Sequence, residues 1–421
     1  MKKLLITALA LYTTYTYAQV HKCYTHELMQ HQEELTPGYL NSVEETFYRA
    51  KQTFSQDRST VYTIPVVVHI VYNDPSENLE DSVIFNQIEV LNQSFRRTNP
   101  DTVNMRPVFD PIVGDAYIEF ELAQIDPNGQ PTTGITRTST TQTSFLGVGG
   151  FPAEGVKSST DGGIDPWDQS HYLNIWVCNM SFAGTPFILG YATPPNNLSH
   201  WPPGSADNMS DGVVIQYEAF GANNPNALDL GQGAMDVMGK TTVHEVGHYL
   251  GLRHIWADGD CNEEDGIDDT PNALDQSDFD CDTTKNTCTD NILTYGDLPD
   301  MIENYMDYSS ETCQNSFTQG QVDMMRAILE NERIDLISGN PATIGENQAL
   351  NFQLFPNPSS SNTTIAGLEQ DVTIWVYNES GQVVFETKAS HQLSLPVFDA
   401  GIYFIKVVSD NEVGTKRFIQ L

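Results

Sequence analysis

Basic residues are scarce in this chain: 20 Lys and Arg stand against 56 Asp and Glu, a formal net charge of −36 over 421 residues. A protein that holds duplex nucleic acid or anionic lipid presents a basic face, so neither partner is expected. Long apolar runs are lacking as well. The short run Leu4 to Leu11 follows Lys2 and Lys3 and precedes Thr16-Tyr17-Ala18, the order of a secretory leader cleaved after Ala18. No later stretch approaches the ~18 apolar residues of a membrane-spanning helix. No internal repeat is evident. Cysteines are few: Cys261, Cys281, Cys288 and Cys313 fall close together like a local staple, and Cys23 and Cys178 stand apart. Export makes disulfides permissible.

What is present describes a globular chain of two or three folded units, with 39% hydrophobic, 10% aromatic and 18% charged residues. Residues 19–58 are polar, with one expected helix over Asn41 to Gln52. Tyr62 to Tyr72 (YTIPVVVHIVY) reads as a buried strand. Asp81 to Arg97 follows as a helix with Ser82 as its cap and Ile84, Ile88, Leu91 and Phe95 on one face. Strands are expected at Ala116 to Ala123, Tyr172 to Val177 and Gly212 to Tyr217, the last as a cleft-edge strand open to extended substrate. Residues 338–350 read as a linker. Beyond them TIWVY (373–377), QVVFET (382–387) and GIYFIKVV (401–408) recur as short alternating segments of an all-β sandwich.

The densest chemistry is HEVGHYLGLRH at 244–254. His244 and His248 stand one helical turn apart on one face, so both imidazoles reach one ion. Glu245 beside them can take a proton from water. Gly251 supplies a residue without Cβ where the chain must turn, and the turn returns His254 as a third ligand. Three protein ligands leave a fourth position open, the pattern of catalytic rather than structural zinc. A closed zinc site made by the four clustered cysteines is the alternative, although no two of them are separated by the usual two to four residues.

That eleven-residue pattern resembles the metzincin signature, and within the clan the chain is most similar to bacterial secreted, ulilysin-like members of the pappalysin family. The carrying residues are Cys261 with DGIDDTP (265–271), ENYMDYS around Met306, Cys313, and Phe317-Thr318-Gln319-Gly320-Gln321. The resemblance implies an α/β (α+β) catalytic domain with a mixed twisted sheet and an active-site helix. It also implies a zinc endopeptidase acting on proteins and peptides, with Glu245 as base. Met306 would floor the metal site, and Tyr308 would assist at the oxyanion or ligate the resting metal. Glu311 would sit at the base of the pocket for the residue after the cut, which favours Arg, or less readily Lys, at P1′. The acidic loop Asp258 to Asp269 holds seven carboxylates in twelve positions and would bind structural calcium through Asp265, the carbonyls of Ile267 and Thr270, and Asp268; a merely solvated acidic loop is the other reading. Four cysteines allow three pairings by themselves; the family pattern favours Cys261–Cys288 and Cys281–Cys313.

Two more expectations concern latency and export. Cys23 would ligate the zinc in the latent form as a cysteine switch, against the alternatives of an incidental thiol or a Cys23–Cys178 disulfide. Activation would then remove residues 19–58, with Arg58-Ser59 as the cut. The tail resembles the sorting domain of proteins exported by the type IX secretion system, through Phe355-Pro356-Asn357-Pro358, Gly401-Ile402-Tyr403 and Lys416 to Leu421. The expected organisation is therefore leader 1–18, propeptide 19–58, catalytic domain 59–340, linker 341–350 and sorting domain 351–421. The product would be a secreted or surface-held monomer. A binding protein on a disabled protease scaffold and a non-peptidase zinc hydrolase are the competing classes. The intact Glu245 argues against the first, and the methionine turn against the second.

Overall fold

The computed structural model describes residues 21–338 except 55–57, 148–153, 200–209, 232 and 291–294, and residues 352–420 except 358, 369–371, 379–381 and 410–412. The expected leader and linker lie outside the described residues.

The polar N-terminal segment forms two helices, α1 (Thr25–Leu35) and α2 (Tyr39–Lys51). Helix α2 buries Tyr39, Val43, Phe47 and Ala50, an i, i+4, i+8, i+11 stripe, which is why its pattern is readable. Helix α1 buries only Thr25, Leu28 and Gln32, too polar a face to announce itself.

The half of the chain that follows is built on a six-stranded sheet of β1 (Tyr62–Tyr72), β2 (Ile118–Leu122), β3 (Ile135–Ser139), β4 (Leu173–Cys178), β5 (Gly190–Ala192) and β6 (Val213–Gln216). The order is β2-β1-β4-β6-β5, with β3 also beside β1. Every pairing is parallel except that of β5 with β6. Strand β1 is buried on both faces, so it reads as a continuous apolar run rather than an alternation. Helix α3 (Asp81–Phe95) packs on the sheet through Val83, Ile84, Leu91 and Phe95. Two expectations are corrected here. The residue preceding α3 is Glu80, without a side-chain cap, and Ser82 lies inside the first turn. Strand β6 is interior, between β4 and β5, so the sheet edge belongs to three-residue β5 and not to Gly212–Tyr217.

Helices α4 (Lys240–Tyr249) and α5 (Gln319–Glu330) complete this half. Between Leu250 and Ser316 the described residues contain no helix and no strand. Disulfides Cys261–Cys288 and Cys281–Cys313, the pairing the resemblance implied, tie this stretch together. Cys178 is buried and free. Beyond α5, buried Arg333 pairs with buried Asp211 and donates to Tyr249 O (2.9 Å) and Thr193 O (3.2 Å), fastening the end of α4 to the strand region before β6.

The C-terminal residues form two antiparallel sheets, as expected of an all-β unit. One runs 383–389, 372–378, 401–408, 413–420; the other runs 353–355, 364–366, 392–394. Phe352, Ile365, Ile374, Val376, Ile405, Val407 and Phe418 share one core between them.

Candidate active site

Helix α4 carries the first two histidines and has no cap of its own, because Gly239 precedes it. Glu311 supplies one from a distance. Its Oε2 accepts from Met238 N (2.6 Å) and Lys240 N (3.1 Å), and its Oε1 from Thr241 N (2.8 Å) and Thr241 Oγ1 (2.7 Å). A carboxylate suits the positive end of a helix and satisfies its orphan donors. The helix stops at Gly251, whose φ of +90° and whose 2.9 Å clearance from Ile328 Cγ1 to an added Cβ both demand glycine. The chain then doubles back to His254.

All three imidazoles are anchored through Nδ1: His244 to Tyr305 O (2.7 Å), His248 to Leu252 O (2.8 Å) and His254 to Asp258 Oδ1 (2.6 Å). With Nδ1 donating, each Nε2 presents a lone pair, and the three Nε2 atoms lie 3.0, 3.1 and 3.3 Å from one another. Burial holds His244 well below its ordinary range and brings His248 down to about 3, so these two stay neutral. Three facing lone pairs at that spacing repel unless a cation lies among them. Ligand atoms ~2.0–2.1 Å from a tetrahedral ion stand roughly 3.3 Å apart, so the cluster fits zinc. Cys23 Sγ completes the group, and among the described residues this is the only set of three or more His, Cys, Asp or Glu side chains whose ligand atoms all lie within 4.8 Å of one another.

Glu245 is buried beside them. Its Oε2 accepts from Thr25 Oγ1 (3.2 Å) and Cys23 Sγ (3.4 Å), and burial pushes its carboxyl up to about 8. Tyr308 packs its ring against His244, His254 and Trp256 and donates its hydroxyl to Cys23 O (3.1 Å). Burial, with the charges of Cys23, Asp258 and Glu245 behind it, keeps that phenol well above its usual value and therefore protonated. Met306 lies beneath: its Sδ would be 2.6 Å from a Cβ on Gly247, so the thioether touches the bare backbone of α4 between the two ligands. Asn304 fixes the turn by accepting from Met306 N (2.9 Å) while donating to Gln321 Oε1 (2.9 Å). Gln321 in turn forms the capping box of α5 with Thr318.

A model of the peptidase M43 family, described as pregnancy-associated plasma protein-A, matches residues 158–330. Mature mirolysin of Tannerella forsythia, solved with a cleaved peptide, is 39% identical with a TM-score of 0.56, and the match covers 66% of this chain and 97% of that one. The chain belongs to the pappalysin family. A Tannerella forsythia promirolysin mutant is 36% identical with a TM-score of 0.61, over 75% of this chain and 96% of that one. An extracellular metalloprotease of Arthroderma benhamiae is 27% identical over 69% of this chain and 80% of its own length. A second model, a secretion system C-terminal sorting domain, matches residues 353–420. This pappalysin is thus a metalloendopeptidase with a catalytic metal, exported by the type IX system to the cell surface or beyond.

The structure also places residues that the motif does not mark. Residues 21–25 lie along β5, with His21 bridging Ile188 in parallel, Tyr24 N donating to Gly190 O (2.9 Å) and Ala192 N to Thr25 Oγ1 (2.9 Å). Lys22 is buried, donating to Ser309 O (2.8 Å) and Asp307 O (3.4 Å). Burial lowers its pKa to about 8 against the opposing pull of Glu311, Asp307 and Glu245. In the acidic loop, Asp265 is buried with Oδ1 accepting from Ile267 N (2.9 Å) and Oδ2 unpartnered. Asp269 Oδ1 is likewise buried and unpartnered. Asp268 points outward instead, to Lys51 Nζ (2.6 Å) of α2. Trp256 stacks on His254 with ring centroids 4.3 Å apart. No spacing rule singles out Lys22, Trp256 or Asp258, because each acts through the fold.

Proposed function

We propose that this pappalysin is a zinc endopeptidase made as a latent precursor, with His244, His248 and His254 holding the metal and Cys23 as its fourth ligand until activation. The convergence of three Nε2 lone pairs on one point, with a cysteine closing the set, carries the reading. When bound, zinc supplies a Lewis acid that polarises the peptide carbonyl and acidifies water. Glu245 takes the proton from water and returns it to the leaving amine. Tyr308 donates its hydroxyl to the developing oxyanion. Met306 and Gly247 keep the ligand helix seated.

Latency follows from the same geometry. Burial and the Glu245 carboxylate raise the Cys23 thiol well above its usual value, so a thiolate there requires a cation among the histidines. Cys23 and Thr25 also occupy Glu245 Oε2. Removing residues 19–58 frees Glu245, Tyr308 and the β5 edge together.

Lys22 supports a basic P1′ preference. It places an ammonium beside two carbonyls and within the field of Glu311, as an Arg or Lys following the cut would be placed. The buried, unpartnered oxygens of Asp265 and Asp269 support a structural calcium at 265–270, with the carbonyls of Ile267 and Thr270; Asp268 is drawn away by Lys51 in the latent form. Casein cleavage by the matured protein, lost with a zinc chelator and with Glu245→Ala, tests the activity. Peptide cleavage surviving Glu245→Ala would refute the role of Glu245. A Cys23→Ala precursor should show activity before processing; one no more active than wild type would overturn the switch.

A further inference from the structure

Both carboxylate oxygens of Asp258 are engaged, and their partners belong to different stages of the protein's life. Oδ1 accepts from His254 Nδ1 at 2.6 Å, a bond within the catalytic half. Oδ2 faces His26 Nδ1 at 3.2 Å, and His26 lies in the segment whose removal activates the enzyme. The backbone is shaped to put the carboxylate there: Ala257 and Asp258 both sit in the left-handed region, at φ of +52° and +55°, a conformation that non-glycine residues adopt at a cost of about 1 kcal/mol or more each.

The position of this contact relative to the cut follows from β5. The precursor segment advances from Ile188 at His21 to Ala192 at Thr25, with Cys23 at the histidines between. Lys22 and His26 therefore engage on either side of the metal-ligating cysteine. If Lys22 stands where P1′ binds, His26 stands on the non-primed side. Asp258 forms part of the wall of two cavities beneath α1. One, of about 360 Å³, is also lined by Glu263 and Glu264; the other, of about 230 Å³, by Trp256 and Tyr308. Arg253, which also lines the larger cavity, is turned to Glu44 (2.9 Å) and the Phe47 ring (3.8 Å); both leave with the precursor segment, after which the Asp265 carboxylate, already in electrostatic contact with Arg253, remains as its counter-charge.

We propose that in the matured enzyme Asp258 is a specificity determinant: its Oδ2 takes a basic side chain of the substrate N-terminal to the cut, in the place His26 holds in the precursor, while its Oδ1 keeps His254 in position. This rests on the peptidase reading above. It adds a second cationic preference to a cleft already expected to favour one at P1′.

The test uses matured holoenzyme and pairs of peptides differing only at P1, P2 or P3, with Arg, Lys or His against Gln, each on frames with Arg and with Leu at P1′. Wild type should favour the basic member about tenfold in kcat/KM at one of those positions, and Asp258→Asn should bring that ratio close to one. The ratio within one enzyme is untouched by a general loss of rate from a misplaced His254. Should Asp258→Asn fail to fold, a synthetic peptide of residues 19–35 inhibiting the wild-type enzyme replaces it, and His26→Gln in that peptide should weaken inhibition by a similar factor. Wild-type ratios near one at all three positions, a ratio unchanged in Asp258→Asn, or inhibition indifferent to His26→Gln would each overturn the proposal. Failure to cleave any peptide would sink the peptidase reading itself, which separates the two.

Discussion

Glu311→Gln separates the cap that this carboxylate forms from the pocket charge proposed for it. As a cap, Glu311 accepts four hydrogen bonds at the start of α4, two on each oxygen. Glutamine retains one acceptor oxygen and turns an NH₂ group on the donors of the other, so two charge-assisted bonds are lost. At roughly 1.5–3 kcal/mol each, with partial relaxation, a cost of about 3 kcal/mol is expected. For a domain of this size that lowers Tm by ~6–12 °C. As a pocket charge, Glu311 faces the Lys22 ammonium, whose bonds to Ser309 O and Asp307 O survive the substitution. Only the ionic attraction disappears; at an effective dielectric of ~20, charges roughly 6–8 Å apart attract by about 2–3 kcal/mol, or roughly 30- to 150-fold in selectivity. The assay is kcat/KM on two peptides alike except for Arg or citrulline at P1′. The wild-type ratio should be large and the Glu311→Gln ratio close to one. Because the ratio does not depend on the folded fraction, lost stability cannot imitate the result. A ratio that stays high in Glu311→Gln would show that Glu311 only caps the helix.

Further outcomes are expected. Burial pushes the Asp265 carboxyl up from an ordinary 3.8 to about 8, so its protonated form favours the fold: that contribution is complete below pH ~4 and fades as pH rises towards 8. Calcium should therefore raise Tm more at pH 8 than at pH 5 in thermal scans against a chelator, and an equal gain at both would remove Asp265 from the site. Arg333→Met strands buried Asp211 and two carbonyls, and should cost about 3–5 kcal/mol; adding Asp211→Asn should recover part of the lost Tm. Gly247→Ala drives a Cβ to 2.6 Å from Met306 Sδ and should destabilise by ~1–3 kcal/mol. Zinc content after gel filtration should fall with it, and full retention with unchanged Tm would deny Met306 its place as the floor.

Legibility in the sequence followed how local each signal was. The meeting of His244, His248 and His254 is readable because helical spacing and one glycine turn decide where three side chains come together. Strand β1 was readable because burial on both faces leaves an apolar run of distinctive length. The sheet edge is not legible in the sequence because β5 has only three residues, too few for any periodicity, whereas the longer, more strand-like run at Val213–Gln216 lies inside the sheet. Helix α1 stayed hidden because its stability comes from docking, not from an apolar stripe of its own. Lys22 and Asp258 were invisible for a related reason: one ordinary charged residue acquires meaning only when a partner more than 200 positions away, or a strained turn, is folded against it.

The two disulfides join residues 27 and 32 positions apart within the stretch that has no helix or strand. Each removes about 3.6 kcal/mol of chain freedom from the unfolded state by the loop-entropy model, and that stretch joins the third histidine to the methionine beneath the metal. Assembly of the hydrolytic centre is therefore tied to oxidation. A chain in a reducing compartment would lack these two constraints between ligand and floor. Beside the latency proposed for the precursor segment, this would give a second safeguard, set by compartment, that acts even on a molecule whose N-terminal residues have been clipped too early.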